Sequence, residues 1–354
     1  MSFAFKRICL VLTLCLNGAL FCSAQKPATY VTFEVPQSTG TFPTSINNQL
    51  SVAGYYNGGN GSEGFVRDIS GNIETFKVGT LLTQASAIND RGEIAGIYQN
   101  VSGEQGGFIR SPKGVITTLT PGGATGLTTP TGITDDGLVT GFYAPNNGGI
   151  LEPFLGFVRY PDGGIVTFNA TTDTTYTTPY GVNLQGATTG AYFYDGNTQV
   201  GGFVRDPDGN TITFQYQQGI VPTSINASGT TAGWYGPTSG PVQGFVRSAE
   251  GKITPFELPG QIGDSVDTSP SINWAGEVTG SYTVANVPNQ PSEPSEITYG
   301  FLRSCDGKIV SFKVPGTGVF YTAPSDINDF GVVTGTYFGQ SGFKTGFLRI
   351  PSLK

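Results

Sequence analysis

Ser224-Ile225-Asn226-Ala227-Ser228-Gly229-Thr230-Thr231-Ala232-Gly233-Trp234-Tyr235, followed nine residues on by Gly244-Phe245-Val246-Arg247, is the copy of a repeated motif from which the fold can be read. Its second half, Gly-Phe-Val-Arg or a near copy, recurs at Gly64–Arg67, Gly107–Arg110, Gly156–Arg159, Gly202–Arg205, Gly244–Arg247, Gly300–Arg303 and Gly346–Arg349. The first Gly and the last are 282 residues apart over six steps, a mean period of 47. The first half, Ser-Ile-Asn-x-x-Gly-x-x-x-Gly-x-Tyr, is equally clear at Ser271–Tyr282. Weaker copies run Ala87–Tyr98, Gly132–Tyr143, Gly181–Tyr192, Asp326–Tyr337 and Ser45–Tyr56, the last with Leu50 where Gly is expected. A period in the forties made of short β-rich segments points to propeller blades. Helical solenoids are excluded by the lack of Ala/Leu/Glu/Lys periodicity and the density of Gly, Thr and Pro.

Each repeat supplies four strands. In the fifth they are expected at Thr223–Asn226, Thr231–Tyr235, Gly244–Arg247 and Ile253–Leu258. Asn226-Ala-Ser-Gly229 joins the first pair and Ser248-Ala-Glu-Gly251 the second. In such four-residue turns an Asn, Asp or Ser side chain bonds the backbone while Gly takes the left-handed position. Phe245 and Val246 point to opposite faces of their strand, so both faces are covered, as in a sheet packed between two neighbours.

The chain ends complete the count. Thr32-Phe-Glu-Val-Pro36 is a lone copy of the fourth strand, and the last repeat stops at Leu348–Lys354 before making one. Placed beside the C-terminal three strands, the N-terminal strand removes the exposed edges of an open stack. The expected fold is all-β, a seven-bladed β-propeller of four antiparallel strands per blade, with residues 25–354 as one domain.

Residues 1–24 read as an export signal. Lys6 and Arg7 precede an apolar run from Ile8 to Leu16, and Cys22-Ser-Ala24 puts small residues before a cut at Gln25. The run is too short for a spanning helix of roughly 20 residues. Removing residues 1–24 leaves 330 residues, with 16 basic groups against 25 acidic and Cys305 as the sole cysteine, so the mature chain is expected to hold without an intrachain disulfide. The expected location is secreted or extracellular, at the cell surface or in the periplasm.

Composition excludes several functions. The 354 residues include 53 Gly and 23 Pro but no His, which removes His-based acid–base chemistry, His triads and His-ligated metals. A net charge of −7 argues against nucleic acid and anionic membranes as partners. No cofactor, metal or membrane span is expected, and the chain is expected to be a monomer.

The recurring Gly-Phe-Val-Arg-Asp-x-x-Gly and Ile-Asn-x-x-Gly-x-x-x-Gly-x-Tyr resemble the bacterial extracellular HAF repeats over nearly the whole mature chain. This chain departs from that family's His-Ala-Phe signature in having no His. The resemblance implies an exported protein and brings no established reaction.

Two sets of repeat positions are candidates for function. Arg67, Arg110, Arg159, Arg205, Arg247, Arg303 and Arg349 would form either an anion-binding ring or struts between blades, paired with an Asp, a carbonyl or an aromatic face. Tyr56, Tyr98, Tyr143, Tyr192, Tyr235, Tyr282 and Tyr337 end the second strands. They lie at the face that also carries the long insertions, opposite the tight Gly turns. Further aromatics gather there, including Tyr55, Phe142, Phe154, Phe193, Tyr194, Trp234, Phe320 and Tyr321. Rings among Asn, Asp and Gln suit sugar faces or protein partners, whereas the alternative has each Tyr packing over its own blade. The candidate ligand site is Trp234, Tyr235, Phe154, Tyr194, Phe142, Tyr143, Tyr55, Tyr56, Phe320 and Tyr321.

Enzymatic work would need two converging carboxylates among Glu63, Glu104, Glu152, Asp195, Glu293 and Glu296 in those loops. No catalytic residue is assigned. Asp206-x-Asp208-Gly-Asn210 lacks the further acids of a calcium loop and reads as a turn. Asn60 and Asn100 head Asn-x-Ser sites that matter in a glycosylating host. Three readings follow: an exported module binding carbohydrate or protein on its long-loop face, a propeller hydrolase or lyase, and a structural protein of the cell surface or matrix.

Overall fold

Turns this short return each strand alongside its predecessor, so every repeat folds as antiparallel strands in chain order. The computed structural model describes residues 28–59, 61–123, 127–145, 154–172, 176–193, 200–236, 241–262, 269–285, 294–316, 318–338 and 342–352. The export signal, Asn60, Glu152, Tyr194, Asp195 and Glu293 lie outside them.

β1 (Ala28–Phe33) precedes the first repeat, which comprises β2 (Thr41–Ile46), β3 (Val52–Gly58), β4 (Gly61–Arg67) and β5 (Ile73–Phe76). The second holds β6 (Leu82–Ile88), β7 (Ile94–Gln99), β8 (Gln105–Arg110) and β9 (Ile116–Leu119). The third holds β10 (Thr128–Ile133), β11 (Val139–Tyr143), β12 (Leu155–Arg159) and β13 (Ile165–Phe168). In the fourth are β14 (Tyr176–Val182), β15 (Thr188–Phe193), β16 (Val200–Arg205) and β17 (Thr211–Phe214). The fifth has β18 (Gly219–Ile225), β19 (Thr231–Gly236), β20 (Gln243–Arg247) and β21 (Ile253–Phe256). The sixth has β22 (Ser271–Ile272), β23 (Val278–Ala285), β24 (Glu296–Arg303) and β25 (Ile309–Phe312). The seventh contributes β26 (Tyr321–Ile327), β27 (Val333–Phe338) and β28 (Lys344–Pro351), and β1 pairs antiparallel with β28 from Ala28↔Pro351 to Phe33↔Gly346. The arrangement is a β-propeller. Among the described residues there is no α-helix, and none that is long and apolar enough to cross a membrane.

In the fifth repeat the strand bounds depart furthest from expectation at β18 and β21. β18 begins at Gly219, four residues before Thr223, because Ile220 and Val221 pair with Tyr235 and Trp234 and a bulge between Pro222 and Ser224 takes up the extra residue. β21 stops at Phe256, short of Leu258.

The motif glycines have distinct physical reasons. Gly229 closes its turn at φ 79°, as Gly92, Gly137, Gly186, Gly276 and Gly331 do. Leu50 holds the equivalent place at φ 61°, a left-handed conformation that costs an L-residue roughly 1–2 kcal/mol. Gly233 must be bare for another reason: a Cβ there would lie 2.0 Å from the Val221 carbonyl that the bulge pushes forward, and 2.9 Å from the Phe245 ring.

The motif phenylalanines Phe65, Phe108, Phe157, Phe203, Phe245, Phe301 and Phe347 are all fully buried, each in a core shared by two successive repeats. Every motif Arg except Arg159 reaches to the repeat before it. Arg67, Arg110, Arg205, Arg247, Arg303 and Arg349 hold their guanidinium carbons 4.5–5.2 Å from the rings of Phe33, Phe76, Phe168, Phe214, Phe256 and Phe312. Those rings belong to the preceding fourth strand, and edge contacts such as Phe76–Phe108 at 6.0 Å fill their other side. Arg67, Arg247 and Arg303 also donate to the carbonyl of the next residue, at 3.0–3.2 Å. Burial pulls these three below the ordinary Arg range. Arg159 differs, because Leu119 stands where its ring would be, and it is less buried than the others. These positions place the arginines between repeats.

Cys305 is disulfide-bonded in the full chain, whereas the expectation of a fold without a disulfide is for the mature chain. The expectation can apply only to a chain cut before Gln25, in which Cys305 would be the sole cysteine.

Candidate functional site

The strand directions put the starts of the first strands and the ends of the second strands at one end of the molecule, where the long connections lie. There, Tyr143, Tyr192, Tyr235 and Tyr282 are buried in cores shared between their own repeat and the one before. Tyr56, Tyr98 and Tyr337 are partly buried against theirs. The Tyr56 hydroxyl donates to Glu63 at 2.7 Å and that of Tyr98 to Glu104 at 3.1 Å. Tyr56 lowers the Glu63 pKa, while burial, with Glu63 second, raises that of Tyr56. Two of the six loop carboxylates are thus held by the Tyr of their own repeat, and Glu296 is exposed at the start of β24.

The additional aromatics form groups. Phe142, Phe154, Tyr176 and Phe193 make a run across the third and fourth repeats, with successive centroid separations of 5.3, 5.4 and 4.5 Å. All four are only partly buried. Phe42 stacks on Tyr55 at 4.8 Å, and Phe320 lies 5.1 Å from Phe338. Lys344 sits 4.7 Å from the Tyr321 ring and 5.8 Å from Phe42, joining the last repeat to the first. Trp234 is 4% exposed and packs edge-on to Phe301, 6.2 Å away. It also walls an apolar cavity of about 370 Å³ with Tyr180, Val200, Val221, Tyr235 and Val242.

Asp206 acts as a turn residue. Its two oxygens accept from the backbone and side-chain nitrogens of Asn210, both at 2.8 Å, and these bonds lower its pKa. Among the described residues no three His, Cys, Asp or Glu side chains are placed to hold a metal ion.

The opposite end, made of the tight turns, carries a feature that the repeat reading did not single out. The motif Asn caps its own turn and its amide crosses to the next repeat. Asn47 Nδ2 donates to the Asn89 carbonyl, Asn89 to Thr134, Asn183 to Asn226, Asn226 to Asn273 and Asn273 to Asn328, at 2.8–3.2 Å. Asn328 then donates to the Asn47 carbonyl at 3.0 Å. Thr134 has no amide, so the step from the third repeat to the fourth lacks this bond.

One residue before the motif Ile stand Ser45, Ser224 and Ser271 in the first, fifth and sixth repeats and the half-buried Asp326 in the seventh. Its carboxylate accepts from Ser45 Oγ, Ile46 N, Ser271 Oγ and Ile327 N, at 2.6–3.0 Å. Burial nevertheless raises its pKa.

At the same end, residues of all seven repeats line a cavity of about 220 Å³. Its rim is the residue after each motif Asn, or after Thr134 in the third repeat: Asn48, Asp90, Asp135, Leu184, Ala227, Trp274 and Asp329. These form one column of the aligned repeats, and reading that column across copies is the signal that would have found them.

The fold has known counterparts. A streptogramin B lyase structure aligns with 91% of this chain and 97% of its own, at 16% identity and TM-score 0.55. A virginiamycin B lyase from Staphylococcus aureus aligns over 92% and 100%, at 13% identity and TM-score 0.56. A puromycin hydrolase aligns over 88% of this chain and 53% of its own, at 12% identity and TM-score 0.58. Likeness at such identities shows the fold alone. No protein-family profile and no curated protein matches the chain.

Proposed function

We propose that the chain is a single-domain, closed seven-bladed β-propeller, exported after cleavage before Gln25, that binds a carbohydrate or protein ligand through its long-loop face. Closure is supported by the β1–β28 pairing and by the Asn328–Asn47 bond, which returns from the last repeat to the first. Export is supported by the basic and apolar pattern of residues 6–24 and by the resemblance to HAF repeats.

The observation that carries the binding reading is the run Phe142–Phe154–Tyr176–Phe193. Four touching rings that remain partly exposed offer a broad apolar platform with little entropy to lose on binding. The lyase and hydrolase readings have less behind them. One virginiamycin B lyase structure is a His-to-Ala variant described as catalytically inactive, and this chain has no His.

The test is a glycan array, with thermal shifts of residues 25–354 against any glycan retained. A ligand at a hundred times its Kd should add about 2.7 kcal/mol. Replacing Phe142, Phe154 and Phe193 together with Ala should abolish the shift. A shift that survives the triple variant places the ligand elsewhere and overturns the reading. A flat array removes carbohydrate from it.

A further inference from the structure

The rim at the tight-turn end has two unlike halves. Leu184, Ala227 and Trp274 occupy three successive repeats, the fourth to the sixth, and the indole of Trp274 is 59% exposed and Leu184 56%. The chain's other tryptophan, at the long-loop end, is 4% exposed. Asp329, Asn48, Asp90 and Asp135 complete the circle through the seventh, first, second and third repeats. Apolar surface left in water at the mouth of an axial cavity, facing an arc of carboxylates, is a complementary pair of features for one kind of molecule.

We propose that this mouth binds a small organic cation joined to an apolar body, of the arylalkylammonium type, with its ring against Trp274 and Leu184 and its charge toward Asp90, Asp135 and Asp329.

The acidic arc is held in place before any ligand arrives. Asp90 Oδ1 accepts from Asn48 N at 2.7 Å, Asp135 Oδ1 from Asp90 N at 2.7 Å, and Asp329 Oδ1 from Trp274 N at 2.9 Å. Asn48 Nδ2 lies 3.0 Å from both Asp90 Oδ2 and Asp329 Oδ2, tying the two carboxylates together. No Lys or Arg lines the cavity. Arg91, next to Asp90, donates to the Asp135 carbonyl and sits 4.0 Å from Glu93. Burial, and after it the charges of Asp135 and Asp329, raises the Asp90 pKa, so a cation in the mouth relieves a repulsion that the fold itself sets up. The Trp274 face adds a second attraction for an ammonium group. The cavity, at about 220 Å³, suits a ring and a short amine rather than a folded partner.

The two tryptophans, one at each end of the molecule, provide the readout. Their indole N–H resonances are assigned with Trp274→Phe and followed in the full mature chain during titration with 2-phenylethylammonium, phenylacetate and butylammonium. The expected result is a saturable shift of Trp274, with Trp234 unmoved, for 2-phenylethylammonium. Phenylacetate should not bind, and butylammonium should bind about fivefold more weakly or worse. Asp90→Asn, which keeps an oxygen for Asn48 N, should weaken binding roughly threefold, as should 0.5 M salt.

No shift of Trp274 overturns the proposal. Equal shifts with phenylacetate also overturn it, because a merely sticky ring would not discriminate by charge. A shift confined to Trp234 overturns it too and supports the long-loop site instead, so the two readings fail separately.

Discussion

The junction between the seventh and first repeats and those flanking the third repeat use the same motif positions but fill them differently. At the first, Arg67 stacks on Phe33, Asn328 donates to Asn47, Ser325 Oγ donates to the Pro43 carbonyl at 2.8 Å, and Asp326 takes hydrogen bonds from Ser45 and Ile46. Around the third repeat, Leu119 replaces the ring that Arg159 would cover, Thr134 supplies no amide, and Gly132 stands in the Ser position. The chain crosses the first junction through residues 34–40, between β1 and β2, and its two ends meet where β1 pairs with β28, with no covalent link between those two strands. The other two are likewise crossed by the chain between a fourth strand and the next first strand. The closing junction keeps both the Arg–ring and the Asn contact, whereas each junction flanking the third repeat lacks one of them.

Phe33→Ala should have the largest effect. The ring contacts Phe65 at 6.1 Å as well as Arg67, and its loss should cost about 3–5 kcal/mol in urea unfolding of the mature chain. Leu119→Ala should cost less, at the lower end of the roughly 2–5 kcal/mol range for Leu truncation. Equal losses would break the comparison.

Asp326 gives the closing junction a pH dependence. Because burial raises its pKa in the folded state, the folded chain holds this proton more tightly than the unfolded one. Its contribution to stability is therefore best in acid and declines as pH climbs from about 4 through the folded pKa. Asp326→Ser, which installs the residue found at Ser45, Ser224 and Ser271, should flatten that decline relative to the parent in Tm measurements from pH 3 to 7. Parallel curves would show that the four hydrogen bonds cancel the burial.

The smallest effect is a gain. Leu119→Phe and Thr134→Asn restore motif residues beside the third repeat, and each should add about 0.5–1 kcal/mol. Calorimetry of the two single variants checks this, and a loss in either would mean that the junction has repacked around its own residues.

The strand count and turn chemistry were legible because they are local: Gly after Asn-x-x, and a short apolar strand on each side of it. The arginine partners were only half legible. A Phe recurs in the preceding fourth strand for every motif Arg except Arg159, but that correlation spans two repeats and becomes an interaction only when the sheets stack. At the long-loop end the aromatic residues were visible, yet their burial was not. Trp234 and Tyr235 are neighbours in sequence but enter different cores, Trp234 with Phe301 and Tyr235 with Phe245, because adjacent residues of a strand face opposite sides. The tight-turn rim was missed because its residues were read one turn at a time.

By itself the sequence determined a β-propeller built from a 47-residue period, since strand length, turn type and two-sided burial are properties of a few adjacent residues. The tertiary structure decided which faces remain open. Trp274 and Leu184 occupy the same motif position as Asp90 and Asp135, and only the arrangement around an axis turns those separate choices into a mouth that is apolar on one side and acidic on the other. That property belongs to the packing of repeats rather than to any one of them, because charge and apolar area act at that mouth through their distances from one another across the ring.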